Sequence, residues 1–266
     1  MAQSLSDDVV APVCTAHSRA MERFVLFTRQ DGSKSWSKFF CQACKAEEER
    51  TRRADEELAH RRERETNLLA RSGLQGRYLD ATLDSFVAKT EDQRKVLAAC
   101  RQYAEGLNRL GSGSLWLIGP VGTGKTHLGA AMVNHLIRVR SVPARIASSR
   151  QLIRDLRGTW RKDSSDSEDE VIQDYGRMPL LILDEVGVAF GTEAEQTQLF
   201  DVIDLRYQLS LPTVLLSNLP PAGLKAWLGD RLFDRLREDA RVLICDWDSY
   251  RAPTALPVDL STHPKE

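Results

Sequence analysis

Five short apolar runs recur along the chain: LWLIG (115–119), ARIAS (144–148), PLLILD (179–184), PTVLLS (212–217) and RVLICDW (241–247). Each is apolar almost throughout rather than alternating. Strands buried on both sheet faces have that pattern, so the runs predict a parallel sheet covered by helices on each side. Helical periodicity occupies 91–109, 124–140, 149–160, 194–209 and 229–238. Strands alternating with helices define an α/β layered domain, here over 74–251. The preceding stretch, 45–73, is dominated by charge, with Glu48/Arg52, Glu49/Arg53 and Glu57/Arg61 at i,i+4 and almost no apolar stripe. It predicts a solvated helical linker. DSSDSEDE (163–170) is acidic, lacks apolar residues and reads as a solvated loop. The tail, 252–266, has three prolines and little apolar content and reads as disordered.

Composition narrows the class. The chain has 266 residues, 42% hydrophobic and 28% charged, with a net charge of -1. These values fit a soluble globular protein, and any nucleic-acid contact must come from a local basic patch rather than a global field. No apolar run reaches the roughly 20 residues that span a bilayer, and the N-terminus lacks a signal-peptide layout, so the expected location is cytoplasmic, without membrane contact.

The strongest chemical signal is GPVGTGKT, Gly119 to Thr126, which follows a predicted strand directly and leads into helix-compatible sequence beginning at His127. That context is what a phosphate-binding loop requires. Gly119, Gly122 and Gly124 permit positive φ and close backbone approach, with Pro120, Val121 and Thr123 completing the loop. Loop amides and the helix N-terminus present partial positive charge to phosphate. Lys125 reaches the β- and γ-phosphates of ATP, and the Thr126 hydroxyl ligates Mg²⁺. A second element, LLILDE, carries two carboxylates to the C-terminal edge of the sheet, where open α/β sheets bind ligands. Asp184 would hold Mg²⁺ and Glu185 would polarise the attacking water. Asn218, directly after PTVLLS, either hydrogen-bonds that water or the γ-phosphate, or forms the turn before Leu-Pro-Pro. In GDRLFDRLRE, Arg231 and Arg235 share a helix face, either as candidate fingers for a neighbouring subunit's γ-phosphate or as an ordinary solvated surface.

A separate constellation lies near the N-terminus. Cys14-x-x-His17 and Cys41-x-x-Cys44 form two knuckles whose spacing suits one tetrahedral Zn²⁺, in a module spanning 1–44. Between them, RFVLFT and SKSWSKFF flank Gln-Asp-Gly, a hairpin signal with Asp31-Gly32 at the turn. A module so short depends on its metal for stability. Lys34, Trp36, Lys38, Phe39 and Phe40 form either the hairpin's small core with solvated lysines or a basic-aromatic contact surface.

GPVGTGKTHL, LLILDEVG, LLSNLP, GDRLFDRLRE and DWDSYR occur in the order found in DnaC-type helicase loaders and the related IstB-like transposition ATPases. The resemblance covers about Arg77 to Arg251, roughly two thirds of the chain. It implies an AAA+ P-loop NTPase with a parallel five-stranded sheet in the order 5-1-4-3-2. Carried over by position, Asn218 resembles sensor 1, Arg235 the arginine finger with Arg231 as a second candidate, and Arg251 the sensor 2 arginine. Asp184-Glu185 departs from the Asp-Asp of many members. The resemblance implies ATP hydrolysis, self-association through the ATPase domain, and work on a hexameric replicative helicase and single-stranded DNA. The alternative is a helper that delivers a transposase. By the same resemblance, Arg150, Arg154, Arg157 and Arg161 would line a DNA channel, or else form a plain amphipathic surface.

Overall fold

The computed structural model describes residues 10–23, 25–30, 32, 34–107, 113–161, 166–187 and 193–251. The tail 252–266, Asp31 of the expected turn and residues 163–165 of the acidic stretch lie outside them. The chain divides into two compact units, Met1–Arg64 and Glu65–Glu266. No helix among the described residues is long and apolar enough to cross a membrane.

In the first unit, β1 (Val25–Thr28) pairs antiparallel with β2 (Lys34–Trp36), and Gly32 takes φ +83° in the connection. This is the expected hairpin. A bridge between Glu22 and Phe40 extends the ribbon toward Cys41. The helix α1 (Gln42–Ala70) buries none of its residues and carries exposed ion pairs, Arg53 with Glu49 and Arg52 with Glu56. A solvated helix without an apolar stripe is what its sequence demands.

The second unit is built on five parallel strands: β3 (Leu115–Ile118), β4 (Ala144–Ser148), β5 (Leu180–Val186), β6 (Thr213–Ser217) and β7 (Arg241–Ile244). Their order is β4-β5-β6-β3-β7, which is 5-1-4-3-2 when the five are counted along the chain. Alternate residues of β3 serve two cores. Leu115 and Leu117 join a cluster with Leu128, Met132, Leu136 and Cys100, from α2 (Glu91–Gly106) and α3 (Lys125–Arg138). Trp116 and Ile118 join Leu152, Leu156, Val202, Leu232 and Phe233, from α4 (Ser149–Gly158), α6 (Glu193–Gln208) and α8 (Asp230–Arg237). Burial on both faces explains why β3, β5 and β6 are continuously apolar.

Two helices were not expected from periodicity. Part of the acidic stretch read as a loop is the start of α5 (Glu168–Gly176). Ser167 and Glu170 form a reciprocal capping box, and three acidic residues occupy the first turn, where the helix dipole favours them. After β6, Pro221 occupies the first turn of α7 (Pro221–Leu228), where its missing N–H costs nothing.

Two polar arrangements fasten the unit. Arg206, on α6, is 1% exposed; it donates to Thr213 Oγ1 at 2.9 Å and to the carbonyls of Tyr175, Gly176, Met178 and Pro212. At the end of α1, Arg71 bonds Asp174, which also bonds Arg145 on β4. The Ile146 amide donates to Ser72 O at 2.8 Å, covering the outer edge of β4.

Candidate active site

The loop after β3 turns through glycines where the backbone leaves ordinary space. Gly122 (φ +85°) and Gly124 (φ +90°) are left-handed, and Gly124 caps α3. Crowding also requires glycine at 119, where an added Cβ would lie 2.1 Å from the Cys245 carbonyl oxygen. Lys125 folds along the loop, its Nζ 2.7 Å from the carbonyl oxygens of both Gly119 and Pro120. Burial lowers its pKa, opposed by the nearby Cys245 and Asp184. Thr123 is buried, its hydroxyl donating to Pro120 O at 3.0 Å.

β5 brings its carboxylates to the same edge. Its register with β6 breaks between Leu183 and Val186, and Glu185 adopts φ +55°. A left-handed, side-chain-bearing residue in a bulge is characteristic of strained functional positions. Burial raises the Asp184 pKa, against a hydrogen bond from Thr126 and one from the Glu185 amide at 2.7 Å. Thr126 and Asp184, 58 positions apart in sequence (184 − 126), are therefore in contact. A hydroxyl and a carboxylate side by side beneath the loop amides are suitable oxygen ligands for Mg²⁺.

The cavity over these groups has a volume of about 610 Å³ and is lined by Lys125, Thr126, His127, Asp184, Glu185 and Asn218, among others. Arg251 also lines it, near enough to Lys125 to oppose that residue's charge. Arg77, Tyr78, Phe86, Val87 and Tyr250, which the sequence did not single out, line it as well. His127 Nε2 is 3.0 Å from Ser85 Oγ and 3.2 Å from Thr82 O, tying α3 to the segment just before Phe86.

The two arginines of α8 are not in this cavity. Leu232 and Leu236 are buried beneath them, as their spacing requires, and Arg231 is exposed. Arg235 forms an ion pair with Asp204 and lies over the rings of Phe200 and Tyr207. On α4, Arg150, Arg154 and Arg157 are exposed while Leu152, Ile153 and Leu156 are buried. Arg161 is exposed just beyond, and Trp160 beside it is 62% exposed, a feature visible only once the helix end is located.

In the first unit, the donor atoms of Cys14, His17, Cys41 and Cys44 lie within 4.8 Å of one another. His17 Nδ1 is 3.3 Å from Cys44 Sγ and 3.8 Å from each of the other two sulfurs, and Cys14 and Cys44 Sγ are 3.6 Å apart. Sulfurs around tetrahedral Zn²⁺, with Zn–S near 2.3 Å, stand about 3.7 Å apart. The donor set therefore fits zinc. The far ring nitrogen, Nε2, faces Glu47 Oε2 at 3.7 Å. Hydrogen bonding by His17 lowers the Cys14 pKa to about 6, whereas the hydrogen bond with Cys14 pushes Cys44 up to about 12.

Comparison with known proteins agrees with this geometry. A replicative helicase loader DnaC from Buchnera aphidicola (subsp. Acyrthosiphon pisum) is 33% identical over 185 residues, covering 69% of this chain and 74% of that protein. The crystal structure of a DnaC helicase loader superposes with a TM-score of 0.58 at 21% identity, covering 64% of this chain and 99% of that one. A replication initiator DnaA bound to AMPPCP and single-stranded DNA gives a TM-score of 0.54 at 27% identity, over 63% of this chain and 50% of that one. The family model described as IstB-like ATP binding protein matches residues 30–256. With most of its length matched and an AAA+ sheet order in its fold, this chain belongs to the IstB-like ATP binding protein family.

Proposed function

We propose that this chain is a Mg²⁺-dependent ATPase that loads a hexameric replicative helicase onto single-stranded DNA. The observation that carries the reading is the contact of Thr126 with Asp184 under the phosphate loop, with Glu185 next to it on a left-handed bulge. The loop amides and Lys125 bind the β- and γ-phosphates of ATP. Thr126 and Asp184 hold Mg²⁺, which neutralises phosphate charge when bound. Glu185 orients and deprotonates the attacking water, and Asn218 fixes that water or the γ-phosphate. Arg251 adds positive charge from the same subunit. Arg235 or Arg231 serves the nucleotide of a neighbour after self-association, and for Arg235 this requires release from Asp204.

The four N-terminal donors hold one Zn²⁺, and their ribbon docks on the helicase. The exposed arginines of α4, with Arg161 and Trp160, line the path of single-stranded DNA, the arginines tracking phosphates and the indole offering a stacking surface. Support comes from the relatives named as helicase loaders and from the initiator bound to single-stranded DNA. The deciding experiment is co-purification of the full chain with the host replicative helicase, with and without ATP. ATP-dependent capture of the helicase supports the reading. Capture of a transposase instead, or failure of the chain to bind MgATP, overturns it.

A further inference from the structure

After β7 the chain does not leave the site. Residues 245–251 form a strap across the phosphate loop. It begins where the Cys245 amide donates to Ile118 O at 2.7 Å. The Trp247 indole Nε1 then donates to Thr123 O at 3.0 Å, and the Tyr250 amide to Gly122 O at 2.9 Å. Ser249 lies so close that a Cβ on Gly122 would be 1.8 Å from its Oγ. At the far side the Tyr250 hydroxyl donates to Val87 O at 2.6 Å, and its ring meets Phe86 edge-on at 5.6 Å.

A trans peptide is planar, with its C=O and N–H pointing in opposite directions. The Gly122 carbonyl, held by Tyr250 on one side, turns the Thr123 N–H toward the other. The Thr123 carbonyl, held by Trp247, does the same for the Gly124 N–H. Two consecutive amides are thereby aimed together away from the strap, and consecutive amides so aimed form an anion-binding nest. Left-handed Gly122 and Gly124 permit this course but do not enforce it, because glycine visits many conformations freely.

We propose that Trp247 is a positioning residue for nucleotide binding: through its bond to the Thr123 carbonyl it holds the loop amides in their phosphate-binding orientation, so that the C-terminal strap, beyond delivering Arg251, sets the affinity for the β-phosphate. The inference rests on the ATP-binding reading above. It requires the effect to appear with every ligand that has a β-phosphate and with none that lacks one.

Trp247→Phe keeps the ring and removes the donor. The test is the affinity of the full-length parent and variant for ATP, ADP and AMP with Mg²⁺, by displacement of a fluorescent ADP analogue, with circular dichroism establishing that the variant is folded. The variant is expected to bind ATP and ADP about three- to tenfold more weakly, the size of one lost hydrogen bond. AMP binding should not change. Unchanged affinity of a folded Trp247→Phe for ATP and ADP overturns the inference, and so does an equal loss for AMP. A parent that binds no nucleotide sinks the ATPase reading itself, a result distinct from either.

Discussion

Replacing Glu185 separates two properties that its bulge combines. At φ +55° the residue occupies the left-handed region. That conformation costs a residue with a side chain about 1–2 kcal/mol. Glu185→Gly removes the strain, and the greater freedom of glycine in the unfolded chain offsets about 0.5–1 kcal/mol of the gain. The glycine variant should therefore lie between parity and ~1.5 kcal/mol above the parent. In a domain of this size 1 kcal/mol moves Tm by about 2–4 °C, so the expected rise is about 0–6 °C. Glu185→Gln keeps the backbone strain and side-chain length and should melt near the parent. Neither variant can take a proton from water, and loss of a positioned base typically costs about 10²–10⁴-fold in rate. Both should still bind MgATP, because the loop and Asp184 are untouched. Thermal melts without nucleotide and single-turnover hydrolysis of ATP measure the two effects separately. The reasoning fails if Glu185→Gln hydrolyses within about threefold of the parent, or if the glycine variant melts below the glutamine one.

Burial makes Asp184 harder to ionise in the fold than in the unfolded chain, so its contribution to folding is intact below the ordinary carboxylate range and is lost as pH rises through its raised native value. Asp184→Asn should accordingly raise Tm at neutral pH without nucleotide while abolishing Mg²⁺-dependent ATP binding; a lower Tm contradicts the assigned cause. Zinc content by elemental analysis should be about one per chain and fall well below that in Cys41→Ser; equal zinc in the two removes the proposed ligand set. Arg206→Met should destabilise the second unit by at least about 3 kcal/mol in urea unfolding, since it strands several buried carbonyls at about 1–3 kcal/mol each; a loss below about 1 kcal/mol shows that water replaces the guanidinium.

What the sequence made legible follows the range of each interaction. β3, β5 and β6 announced themselves because burial on both faces requires nearly continuous apolar side chains, whereas the edge strand β7 carries the same pattern but is largely exposed; the phosphate loop announced itself because its glycines answer local backbone demands. The start of α5 was equally local: Ser167, Glu170 and the apolar Val171, Ile172 and Tyr175 carry a cap and a stripe, obscured by the acidic residues before them. Pro221 likewise marks a helix start by a local signal, a proline in the first turn. Nothing local could show that Arg206 sits buried among carbonyls contributed by α5 and the segments leading into β5 and β6, because its neighbours in sequence resemble any half-exposed helix. The ion pair of Arg235 with Asp204 spans 31 positions, and the bond from Trp247 to Thr123 spans 124. Tertiary folding alone creates such pairs.

Residues 71–73 are fastened to the edge strand of the sheet at a specific place. Gly73 passes so close to β4 that a Cβ there would be 2.0 Å from Ile146 O, and Arg71 and Arg145 share Asp174. β4 runs without a break into the helix whose Arg150, Arg154 and Arg157 are exposed. A sheet edge left bare invites pairing with another chain, so residues 71–73 close the flank of the strand that feeds the arginine helix.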